Sequence, residues 1–115
     1  MIHKIDADTP GPVQVTFSLT ANILAEQVHL VGDFNDWDPL ATPMRQDRSG
    51  GDWQVTLQLA PDCCYRFRYL VDGRQWLNDW HADDFLENPY GSYDSVVDLK
   101  APDLAVPLGG AIRNP

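Results

Sequence analysis

The chain has 115 residues, room for one domain with its own hydrophobic core and a short tail. Its net charge of −9, from 8 basic and 17 acidic residues, argues against nucleic acid and anionic membranes, whose phosphates need cations to replace their counterions, and leaves a neutral ligand open. No apolar run approaches the roughly 18 residues of a membrane span and Met1 to Asp8 hold no apolar leader, so the expectation is a soluble, cytoplasmic protein.

Residues 1–12 read as an irregular lead-in closed by Pro10-Gly11-Pro12. Val13, Val15, Phe17 and Leu19 then alternate with Gln14, Thr16, Ser18 and Thr20, the period of a half-buried strand. Thr20-Ala21-Asn22 reads as a turn, and Glu26 to Gly32 as a second strand with Val28 and Leu30 on one face. Gly32-Asp33-Phe34-Asn35-Asp36-Trp37-Asp38-Pro39 is a polar loop carrying two aromatics; Asn, Asp and Gly supply turn geometry and Pro39 stops the strand. A short edge strand is expected within 40–45, and a turn at Gln46 to Gly51.

Trp53, Val55, Leu57 and Leu59 form the next alternating strand, with Trp53 assigned to the core. Tyr65, Phe67, Tyr69 and Val71 alternate with Arg66, Arg68 and Leu70 in another. Asp72-Gly73 turns the chain tightly into Gln75-Trp76-Leu77. Asn78 to Ser92 reads as one long acidic and aromatic loop, and Asp94 to Leu99 as the closing strand. Residues 101–115 have no period and read as a flexible tail. Short strands at regular spacing, with nine prolines and eight glycines at the turns and no helical period, predict an all-β chain: a single-domain, immunoglobulin-like antiparallel β-sandwich over residues 13–100.

Chemistry is sparse. The adjacent Cys63 and Cys64 point to opposite faces of an extended strand, which excludes an ordinary disulfide and predicts one buried and one surface thiol. His3, His29 and His81 have no nucleophile near them in sequence, and no phosphate loop or nucleophile elbow is present. Paired carboxylates such as Asp83 and Asp84 could serve glycosidase chemistry; the simpler reading is loop charge. Asp33-x-Asn35-Asp36-x-Asp38 resembles a calcium loop in part, but Asp38 stands in the glycine position and Met44 in the closing glutamate position. No metal, cofactor or catalytic residue is expected.

Aromatic side chains in polar loops are the stronger signal, because loops run over the surface. Trp37, Trp76, Trp80 and Tyr90 all lie in or beside such segments. An exposed indole covers the flat C–H face of a pyranose ring, worth roughly 1–3 kcal/mol per platform. Arg68, Asn78, Ser92 and Asp94 are of the type that meets sugar hydroxyls. The alternative is that these rings plug the end of the sandwich.

Val28-His29-Leu30-Val31-Gly32-Asp33-Phe34-Asn35-Asp36-Trp37 resembles the Gly-x-Phe-Asn-x-Trp segment of family 48 carbohydrate-binding modules. That group includes the glycogen-binding domain of the AMP-activated protein kinase beta subunit and the early-set N-terminal domains of isoamylases and branching enzymes. Tyr65 to Gly73 resembles the family's next strand and Val-Asp-Gly turn, and Asn88-Pro89-Tyr90-Gly91-Ser92 its closing Asn-Pro-x-Gly segment. The resemblance implies an early-set sandwich binding α-glucans such as glycogen or starch, without catalysis. It implies that Trp37 and Trp76 stack on glucose, that Arg68 supplies the basic contact, that Tyr90 inserts against the sugar chain, and that Ser92 and Asp94 add polar contacts. Arg68 replaces a lysine and Asp94 an asparagine, one extra residue lengthens the turn before Trp76, and Trp80 stands where proline is common in bacterial relatives, either extending the platform or packing under its loop. The competing expectation keeps the fold but docks its aromatic surface on a protein partner, for example a glucan-metabolising enzyme.

Overall fold

Residues 1–5, 11–20, 25–47 and 51–100 are described in the computed structural model, and among them nine strands form two antiparallel sheets. The first sheet has the order β1 (Ile2–Ile5), β2 (Val13–Leu19), β5 (Trp53–Leu59), β4 (Arg45–Gln46). The second has the order β3 (Val28–Gly32), β6 (Cys64–Val71), β9 (Tyr93–Asp98), β8 (Asp84–Glu87), and β7 (Gln75–Leu77) also pairs with β6. Strand β6 is the hub: it carries β3 on one edge, while β9 and β7 share the other, beside Cys64–Phe67 and Tyr69–Val71 respectively.

The alternation read from the sequence places the core. Val13, Val15, Phe17 and Leu19 of β2 and Trp53 and Leu59 of β5 are buried against Val28, Leu30, Phe67, Tyr69, Val71 and Val97 of the second sheet. Each such side chain contributes about 1.5–3 kcal/mol of burial free energy. Phe67 sits at the centre, edge-on to Phe17 at 5.0 Å and to Tyr69 at 5.7 Å between ring centroids. The opposite parity of β2 and β5 puts Gln14, Thr16, Ser18, Gln54, Thr56 and Gln58 on the outer face of the first sheet, where the Thr16 and Thr56 hydroxyls share a 2.8 Å hydrogen bond. The fold is therefore the expected all-β antiparallel sandwich.

Several boundaries move. Ile2–Ile5, read as lead-in, is an edge strand paired with β2 from Ile2 opposite Phe17 to Ile5 opposite Gln14; Lys4 ties it to the second sheet through a 2.6 Å ion pair with Asp83. The long loop from Asn78 contains β8, fixed by pairing Asp84–Glu87 with β9. The short edge strand falls at Arg45–Gln46, overlapping the end of the expected segment. Cys63 is half-buried and Cys64 exposed, both free, so neither thiol is fully buried. The predicted turn at 20–22 lies largely, and the tail at 101–115 wholly, outside the described residues. Among the described residues no helix is long and apolar enough to cross a membrane.

Candidate functional site

The outer face of the second sheet carries Val31, Leu70 and Val96, buried yet outside the main core. Leu70 lies opposite Trp76 and Val31 opposite Arg68. Three loops converge on this apolar strip.

The first follows β3. Asp33–Asn35 form a single 3-10 turn, and Asn35 fastens it: its Oδ1 accepts from Gly32 N–H at 3.0 Å, and its Nδ2 donates to Leu30 O and Thr42 Oγ1, each at 2.9 Å. Asn35 thus holds the turn, and Phe34 packs on the core 5.6 Å from Phe17. Asp36 and Trp37 follow with φ of 57° each, a left-handed pair that costs a residue with a Cβ about 1–2 kcal/mol apiece. What holds Trp37 there is a backbone bond from its N–H to Gly32 O at 2.9 Å and an indole bond from Nε1 to Asp33 Oδ1 at 2.8 Å. The other Asp33 oxygen accepts Arg66 N–H of β6 at 2.7 Å. One carboxylate thereby fixes the indole to the central strand. The partial calcium pattern is spent on this turn, with Asp38 Oδ1 accepting Leu40 N–H at 2.9 Å. Among the described residues no group of three or more His, Cys, Asp or Glu is placed to hold a metal ion.

The second loop joins β6 to β7. Asp72 and Gly73 have φ of 52° and 68°, the left-handed pair of a tight hairpin turn. Asp72 Oδ1 accepts Gln27 N–H at 3.0 Å and Glu26 N–H at 2.8 Å, which holds its carboxyl below the usual range and locks the turn to the entry of β3. Leu77 packs on the core, so alternation turns Trp76 outward, where it is 45% exposed.

The third loop joins β8 to β9 and is organised by Asn88. Its Oδ1 accepts Tyr90 N–H at 2.9 Å and Ser92 N–H at 3.2 Å, and its Nδ2 donates to Asp94 Oδ1 at 3.1 Å. Gly91, with φ of 80°, completes the turn, and Tyr90 projects from it 92% exposed. Arg68 braces the loop: its Nη2 donates to Ser92 Oγ at 2.8 Å and to Tyr93 O at 2.6 Å. Arg68 Nε lies 3.0 Å from Asp94 Oδ1, an ion pair whose N–H is not aligned as a hydrogen bond. Asp94, only 6% exposed, also faces Arg66 Nη1 at 3.6 Å.

These elements enclose an open depression of about 510 Å³. Trp37, Arg68, Trp76, Tyr90 and Asp94 line it, so five of the residues chosen from sequence meet in one place. Ser92 touches the site through Arg68, and most of the Arg68 and Asp94 hydrogen-bonding capacity is used in bracing the loop. Trp80 lines a different depression, together with Leu19, Asp52 and His81, and shares no wall with the first. Asn88 and Pro89 also line the first depression; the sequence showed them as part of the Asn-Pro-x-Gly segment and not as site residues.

Residues 4–91 match the family described as Carbohydrate-binding module 48 (Isoamylase N-terminal domain). The chain is also similar to 1,4-alpha-glucan branching enzyme GlgB 2 of Xanthomonas campestris pv. campestris (strain 8004), 45% identical over 53 residues, which are 44% of this chain and 7% of that protein. The namesake of Xanthomonas euvesicatoria pv. vesicatoria (strain 85-10) is 41% identical over 75 residues, 63% of this chain and 9% of the relative. That of Rhizobium etli is 43% identical over 47 residues, 40% of this chain and 6% of the relative. The chain thus spans less than a tenth of the length of the curated relatives it matches.

Proposed function

Because the chain belongs to the carbohydrate-binding module 48 family, we infer that its aromatic depression is a non-catalytic site for α-glucans such as glycogen, starch and maltooligosaccharides. The observation that carries this is the convergence of Trp37, Trp76 and Tyr90 on one open depression above an Arg68–Asp94 pair. The indoles supply flat apolar platforms for the C–H faces of glucosyl rings, and Tyr90 stands at the rim to press against the chain. Arg68 Nη1 has no partner among the described residues and serves as hydroxyl donor. The relatives are 1,4-alpha-glucan branching enzymes, which agrees with a glucan ligand. Two platforms at roughly 1–3 kcal/mol each give about 2–6 kcal/mol before the cost of association, so binding is weak, with dissociation constants no tighter than roughly tens of micromolar.

Native gels cast with glycogen or amylopectin test the reading. The protein is expected to be retarded, and Trp37→Ala with Trp76→Ala to remove most of that retardation while circular dichroism stays native. Equal mobility of the wild-type protein with and without polysaccharide would sink it.

A second reading, docking on a glucan-metabolising enzyme, is favoured by Phe85 and Leu86, 41% and 38% exposed on edge strand β8. Co-sedimentation with a purified 1,4-alpha-glucan branching enzyme in excess maltoheptaose would support it.

A further inference from the structure

Trp80 is unlike the other three tryptophans. It is 91% exposed, the least covered indole among the described residues, and it lies outside the depression shared by Trp37 and Trp76. Its position is set by a turn. Asp79 Oδ1 accepts His81 N–H at 2.8 Å and Asp79 O accepts Ala82 N–H at 3.2 Å, which puts Trp80 at the tip. The base of that turn is buried: Asp79 is 2% exposed, its Oδ2 accepts Tyr69 O–H at 2.7 Å, and its N–H donates to Ser95 Oγ at 2.8 Å. A large apolar side chain is therefore held out into water by an anchored turn, at a position where a polar residue would serve the fold equally well.

Beside the indole lies a depression of about 170 Å³, the size of a single hexose unit, walled by Leu19 at the end of β2 and by Asp52 and His81. It opens where the two sheets meet at one end of the sandwich, whereas the first depression lies on the outer face of the second sheet. An apolar shelf bordered by a carboxylate and an imidazole suits a ring with one C–H face and hydroxyls around its edge. Because the turn is already ordered, stacking on it costs little further loop entropy.

The geometry points to a second, independent α-glucan platform built on Trp80, taking one glucosyl unit; this rests on the reading of the chain as a glucan-binding module. Two separate contacts let one protein grip two places on a branched polysaccharide, so the gain falls on polymers and not on short oligosaccharides.

The indole N–H signals of the full chain test it in a titration with maltoheptaose, with buried Trp53 as a control for folding. The Trp80 signal is expected to move along its own isotherm, and to keep moving in the Trp37→Ala, Trp76→Ala double variant. Trp80→Ala is expected to leave the Trp37 and Trp76 isotherms within about twofold and to weaken retention on amylopectin about tenfold. A Trp80 signal that stays fixed while Trp37 and Trp76 saturate overturns the second platform and leaves the first site intact. So does a Trp80 shift that vanishes in the double variant, which would make the two depressions one site. Movement of Trp80 alone would remove the first site and keep the second; no movement at all removes both.

Discussion

A tryptophan with φ of 57° is an expensive way to build a loop, and the hydrogen bonds around Trp37 show how it is sustained. Asp33 is the positioning residue: one oxygen holds the indole N–H and the other the Arg66 N–H of β6. Asp33→Ala removes both acceptors, so maltoheptaose affinity is expected to fall about fivefold, near 1 kcal/mol, with a displaced Trp37 indole resonance. Asp33→Asn, which keeps an acceptor for the indole, should recover most of that affinity. Calorimetry on the two variants decides it; equal affinity for Asp33→Ala and wild type would reduce Asp33 to a structural role. At this scale the site was largely legible, because aromatic residues amid Asn, Asp and Gly are conspicuous. Trp80 was harder to place: it is four residues from Trp76, but the chain turns at Asp79 between them, and that turn depends on a carboxylate buried by Tyr69 and Ser95. Nor could sequence show that Asp94 would be spent between Arg68 and Asn88.

Among the elements, β3 and β6 lead into the two tryptophan loops, and at Gly32 there is no room for a side chain. A Cβ there would lie 2.4 Å from Arg66 O, 2.8 Å from Phe67 Cβ and 2.9 Å from Phe34 Cζ. Gly32 is fully extended, so any residue could adopt its backbone; space alone requires glycine. Gly32→Ala is expected to destabilise the fold by about 2–3 kcal/mol through overpacking against backbone that cannot move away. Urea unfolding measures it, and a midpoint unchanged from wild type would contradict this packing. Strands β2, β5 and β6 were readable because one face of each is buried and the alternation records it. Strands β1 and β8 were not. Ile2-His3-Lys4-Ile5 is too short to display a period, and all four residues of β8 are exposed, so pairing with β9 alone makes Asp84–Glu87 a strand.

For the molecule as a whole, charge and ligand are decoupled. A net charge of −9 would repel an anionic partner, yet stacking on a neutral sugar displaces no counterions. Glucan affinity is therefore expected to change less than about twofold between 50 and 500 mM sodium chloride. Titrations across that range check it, and a steep salt slope would point to an anionic ligand. The two broad faces of the sandwich also differ in kind. One bears the aromatic loops; the other carries Gln14, Thr16, Ser18, Gln54, Thr56 and Gln58 in register across β2 and β5. A glucan granule coated through the aromatic side would turn this amide and hydroxyl layer outward, staying as wettable as bare polysaccharide. With the surplus anionic charge each copy brings, dressed granules would repel one another in suspension and not clump.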